Sequence, residues 1–169
     1  EVESKLSISH SQIGAIILIL GGGALASMQL IGGLVDKFGS AKTLVGISVA
    51  LGIALMLPGL SVDFWTLAIG IFLLGACIGG TDIAMNAHAL EVEQAYERPI
   101  FSAFHAMWSI GGVLGAAVVG LALSAKIPMP ITMTAWGLLT ITTAIALKAW
   151  LLPSTLKKKS SEAKSNKSR

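Results

Sequence analysis

Charge is scarce in this chain, and its absence is organised. Acids and bases make up 12% of the 169 residues, about half the share in an ordinary soluble domain. None interrupts Lys5 to Asp36, Lys42 to Asp63, Asp63 to Asp82, Arg98 to Lys126 or Lys126 to Lys148. Each of these stretches is about long enough to cross a bilayer core of about 30 Å, which takes roughly 20 apolar residues of helix. With 54% hydrophobic residues, too little polar side chain remains to cover a water-soluble globule. Cysteine is reduced to Cys77, which can form no internal disulfide and reads as a small packing residue. A net charge of +3, with half the bases within residues 157–169, does not point to nucleic acid. The chain lacks a Walker loop, a dinucleotide fingerprint, zinc spacing and a G-x-S-x-G elbow. No enzyme activity, metal or cofactor is therefore expected. No secretory signal is visible, and the acidic start Glu1-Val2-Glu3 lacks an initiator Met. The chain reads as a piece of something longer.

What is present is an all-α integral membrane pattern with five transmembrane helices, expected at about 12–35, 43–60, 64–88, 99–124 and 130–152. Residues 1–11 form an extracytoplasmic stretch, and the Lys/Ser-rich residues 153–169 a disordered cytoplasmic tail. Pro99 and Pro130 suit first turns, where a missing N–H costs little, and Pro153 ends the last helix. Short loops make consecutive helices antiparallel. Basic residues set the orientation. Lys37, Lys42, Arg98, Lys148 and the tail bases share one side, and only Lys5 and Lys126 the other. The tail is therefore expected in the cytoplasm and the N-terminus outside. Trp65, and Trp150 beside a snorkelling Lys148, suit interfacial anchors. A helix ahead of Gln12 would raise the span count to six and place both termini inside.

The 19 glycines lie mostly within the spans. Helices in lipid gain little from burying apolar surface against each other, so they associate where small residues let backbones approach. Gly75-x-x-x-Gly79 and Gly111-x-x-x-Gly115 are such pairs, and Gly21-Gly22-Gly23 permits bending or a close crossing. The threonines of the last helix can bond back to carbonyls of the preceding turn. The second and fifth helices carry no ionisable residue in their cores and are expected to face lipid.

Between the first two helices the sequence reads Gly32-Gly33-Leu34-Val35-Asp36-Lys37-Phe38-Gly39-Ser40-Ala41-Lys42. This resembles the cytoplasmic signature of the major facilitator superfamily, G-x-L-a-D-r-x-G-r-r-x. The match covers Gly32, Leu34, Asp36, Lys37 and Gly39, with a base again at Lys42. It departs at Ser40 and Ala41, where bases are common. An anion at a helix C-terminus opposes the macrodipole, so Asp36 needs a base or another helix's N-terminus, and Lys37 and Lys42 could serve locally. The resemblance implies helices two to six of a six-helix half-bundle. It also implies two missing partners, the first helix and the C-terminal half of a permease. In the family this aspartate is associated with a latch at the inward gate.

Asp82 is the only acid well inside a span. Such groups are expensive and mostly face a cavity or partner. Gly75, Gly79, Asp82 and Asn86 share one helical face. Asp82-x-x-x-Asn86 resembles an acid-x-x-x-Asn arrangement of the fucose permease branch, where the acid is linked to proton coupling. Asp82 would carry the proton, and Asn86 would hold substrate or Asp82. On the next helix His105 and Ser109 share a face. His105 is expected at Asp82's depth, either as a relay or as a structural histidine. Glu91, Glu93, Glu97 and Arg98 read as a solvated loop, and His88 as structural. The resemblance implies alternating-access transport of a small solute, with proton symport favoured over drug antiport because the Gly-Pro pair of drug antiporters is missing from the expected fourth span. The expected partners are solute, protons and lipid, and the expected location is the cell inner membrane. The other reading is a truncated, transport-inactive or scaffolding membrane protein.

Overall fold

The structure, a computed structural model, describes residues 9–152. The basic tail at 153–169, and residues 1–8 of the expected N-terminal stretch, lie outside the described residues. Five helices follow: α1 His10–Phe38, α2 Ser40–Leu60, α3 Phe64–Tyr96, α4 Phe101–Ser124 and α5 Met129–Leu147, closed by a 3-10 turn at Lys148–Trp150. All five are long and apolar enough to cross a membrane. No strand occurs among the described residues. The fold is an all-helical membrane bundle.

Local chemistry fixes the helix starts. Ser9 caps α1 in a capping box with Gln12, the Gln12 amide oxygen accepting from the Ser9 N–H at 2.8 Å. Asp63 caps α3 in the same way. Its Oδ1 accepts from the Thr66 N–H at 2.8 Å, and the Thr66 hydroxyl accepts from the Asp63 N–H at 3.2 Å. The bond from the Thr66 N–H holds the exposed Asp63 carboxyl below the usual carboxylate range. In α5, Thr134, Thr140 and Thr142 donate to Pro130, Trp136 and Leu138 carbonyls at 2.7 to 2.9 Å, spending their hydroxyls on their own helix.

Most helix ends move by a few residues from the sequence reading, and two of the shifts have a clear physical reason. α3 runs to Tyr96 rather than His88. Charge at Glu91 marks where the membrane ends, but Ala87 to Glu91 are good or neutral helix formers and nothing breaks the helix there. Its 33 residues span roughly 50 Å at 1.5 Å each. α4 starts at Phe101, two residues after Pro99. The residue before it offers no side-chain cap; instead the Glu93 Oε2 on α3 accepts from the Phe101 N–H at 2.7 Å. Glu93 is thus a capping group of the next helix, not part of a solvated loop.

Glycines set the packing. α1 lies parallel to α3, with Gly75 against the backbone of Leu20, Gly79 against that of Ala24, and Gly23 against that of Phe72. A Cβ on Gly79 would stand 2.6 Å from the Ala24 carbonyl oxygen, so no larger residue fits. α2 crosses α5 at Gly52 and Gly137, each facing the other's carbonyl, and meets α3 where Gly70 touches Leu57. α2 is therefore held between α3 and α5 and does not simply face lipid. Its uncharged sequence suits a helix covered by other apolar helices as well as one covered by lipid. A small core of Ile31, Val35 and Ala84 closes the end near the α1–α2 turn. α4 stands apart with no buried residue, and Gly111 and Gly115 have nothing within 4 Å of a Cβ position.

Candidate gate and intramembrane polar residues

The α1–α2 connection is a single residue. Gly39 has φ 87° and ψ 154°, a region open essentially to glycine alone. Its N–H donates to the Val35 carbonyl at 2.8 Å, closing α1. Its carbonyl accepts from the Thr43 N–H at 3.2 Å, opening α2. The Thr43 hydroxyl reaches back to the Leu34 carbonyl at 3.2 Å. One residue thus reverses the chain between two spans, and hydrogen bonds on both sides hold the reversal.

Ser40, the next residue, is fully buried. Its hydroxyl donates to Glu91 Oε2 at 2.6 Å and lies 2.9 Å from Nδ1 of buried His88. A hydroxyl has one proton to give. With that proton on Glu91, the oxygen accepts from His88, so Nδ1 carries the hydrogen. The cluster ties the start of α2 to α3. It is not a hydrolase triad, because the serine sits between imidazole and carboxylate instead of donating to the imidazole. The position that departs from the family's bases is therefore engaged. Sequence reading set His88 aside as structural and placed Glu91 in a loop. Their i, i+3 spacing on one helix face was the available signal.

The other gate residues are less engaged. Asp36, Lys37 and Lys42 are exposed. Neither Lys37 nor Lys42 pairs with Asp36 among the described residues, which corrects the local compensation expected of them. Lys37 Nζ instead lies 5.2 Å from the centroid of the Phe38 ring, a cation–π distance. Gly32 has open space around its Cβ position.

Asp82 and Asn86 lie one turn apart on α3, both half-buried. Gly75 and Gly79, on the same face, are covered by α1, whereas the two polar residues are left partly uncovered. Beside Asp82 the buried Thr81 hydroxyl has no partner. His105 is exposed, its ring edge-on to Phe101 at 5.2 Å. Ser109 donates to the His105 carbonyl at 3.0 Å. No hydrogen bond joins Asp82 to Asn86, His105 or Ser109 among the described residues. No group of three or more His, Cys, Asp or Glu that could hold a metal ion occurs among them either.

The sequence pattern that defines the Major Facilitator Superfamily matches residues 1–169. The chain belongs to that superfamily. An uncharacterized transporter, y4wD, of Sinorhizobium fredii is 40% identical over 116 residues, which is 69% of this chain and 31% of the relative. An uncharacterized MFS-type transporter of Yersinia pestis is 32% identical over 117 residues, 69% of this chain and 30% of the relative. The membrane protein MosC of Rhizobium meliloti is 29% identical over 122 residues, 70% of this chain and 30% of the relative. The chain thus spans about a third of the length of these relatives. No solved structure matches.

Proposed function

We propose that this chain forms part of a permease that carries a small solute across the membrane by alternating access, as two half-bundles rock about a central site. The whole-chain family match carries this reading, and relatives named as transporters support it. The cargo is coupled to protons. Asp82, the one acid well inside a span, takes up and releases the proton. Asn86 hydrogen-bonds solute or Asp82, and His105 and Ser109 are further candidate contacts for solute or proton, carried by α4. Symport is favoured over drug antiport, and α4 holds no proline. The acid-x-x-x-Asn spacing supports the fucose-permease-like branch.

Gly32, Asp36, Lys37, Gly39 and Lys42 form the inward gate. The Ser40–His88–Glu91 cluster braces that turn against α3. The bundle sits in the cell inner membrane with its N-terminus outside and its basic tail cytoplasmic. The experiment is uptake by the full-length permease in vesicles across a panel of sugars and organic acids, with an imposed proton gradient. Accumulation of one solute class that collapses with the gradient is expected. If no solute accumulates, the reading fails.

A further inference from the structure

Between α1 and α2, beside the Gly39 turn, lies an open groove of about 350 Å³. Its walls are Ile31, Leu34, Phe38, Gly46 and Ile47, and Lys42 stands in its lining. Leu34 and Phe38 are 40% and 50% exposed, so the groove is open on one side. A Cβ on Gly46 would meet nothing within 4 Å, leaving a shallow bed along α2. Above Phe38 sits the Lys37 ammonium. Two bases therefore crown an apolar slot. The nearest acid in sequence, Asp36, lies two residues before Phe38, about 160° around the helix, and turns away. Glu91 is tied to Ser40. No acid lines the groove to receive an ammonium or choline headgroup. A second groove, between α4 and α5, has a similar volume of about 340 Å³ but no charged residue in its lining. The bases are thus particular to the first.

We propose that the α1–α2 groove binds an anionic phospholipid. One acyl chain lies along Leu34, Phe38, Gly46 and Ile47, and the phosphate sits between Lys37 and Lys42. Basic pockets between spanning helices suit such headgroups, and each base near an anionic lipid strengthens binding roughly fivefold. The inference depends on the membrane location and not on solute transport, so failure of one leaves the other standing.

The test is native mass spectrometry of the full-length permease titrated with dioleoyl-phosphatidylglycerol, dioleoyl-phosphatidylcholine or glycerol 3-phosphate. Phosphatidylglycerol adducts should exceed phosphatidylcholine adducts, and glycerol 3-phosphate alone should not bind. Lys37→Gln with Lys42→Gln should remove the headgroup preference, about fivefold for each base. Gly46→Leu, which meets open space and leaves the helices in place, should reduce both lipid adducts by occupying the chain's bed. Three results overturn the proposal. They are a preference that survives the double substitution, adducts unchanged by Gly46→Leu, or glycerol 3-phosphate competing as well as the lipid does, which would mark a free-anion site.

Discussion

The bundle has two parts that use the same residue differently. Where α1, α2, α3 and α5 cross, glycines sit against a neighbouring helix's backbone: Gly75 on Leu20, Gly79 on Ala24, Gly52 on Gly137. In α4, Gly111, Gly112, Gly115 and Gly120 meet nothing within 4 Å, and no residue is buried. The sequence motif is alike; Gly75-x-x-x-Gly79 and Gly111-x-x-x-Gly115 could not be told apart by spacing. A small-residue pair permits close approach but does not choose its partner. What chooses it here is the matching gap on the facing helix, Leu20 to Ala24, at the same four-residue interval. The comparison also separates the polar residues. Asp82 and Asn86 belong to the locked part, whereas His105 and Ser109 ride on α4, fixed to α3 chiefly by the Glu93 cap on Phe101.

The largest expected effect comes from filling a locked glycine. Gly75→Leu drives a side chain into the Leu20 backbone, which cannot swing aside. Its cost should reach the top of the ~1–3 kcal/mol seen for overpacking, or more. Gly111→Leu should shift the melting temperature of the full-length permease far less, and equal losses would erase the distinction between the two parts. Gly39→Ala should follow, at about 1–3 kcal/mol for a side chain held at that positive φ, read in the same melting assay. Ser40→Ala leaves His88 and Glu91 without their shared hydroxyl. A loss of about 1–3 kcal/mol is expected for removing a buried hydroxyl that donates to a carboxylate, with faster amide exchange at the α1–α2 turn; unchanged exchange would show that the cluster braces nothing. The smallest effect is at Asp63. Its folded-state pKa is lowered, so its stabilisation is present above the unfolded pKa and is lost as pH falls through the folded one. Asp63→Ala should therefore be less stable than the parent at neutral pH. The difference should vanish in acid, and one that persists there would mean the cap acts by packing and not by charge.

Much of the fold was legible because lipid imposes simple rules. Long uncharged runs gave the spans, and the α5 threonines turned back on their own carbonyls as their short hydroxyl side chains allow. The limits were equally physical. α3 passed beyond His88 because charge ends a hydrophobic slab without ending a helix. Ser40 read only as a departure from the family's signature because residue type shows a missing base but not the His88 and Glu91 side chains that arrive from 48 and 51 residues away. The pairing of His105 with Asp82 rested on antiparallel neighbours lying side by side. α3 and α4 meet closely only near their shared turn, so equal depth does not become contact. Asp82 itself was visible from sequence alone, since one acid in a long apolar run needs no neighbour to be noticed.

The central claim is that Asp82 carries the coupling proton of a solute carrier. Asp82→Asn in the full-length permease, assayed in vesicles for both gradient-driven accumulation and solute exchange at equal pH, tests it most directly. Accumulation should disappear while exchange persists, because the fixed amide mimics the protonated acid. Accumulation at the parent's level would contradict it.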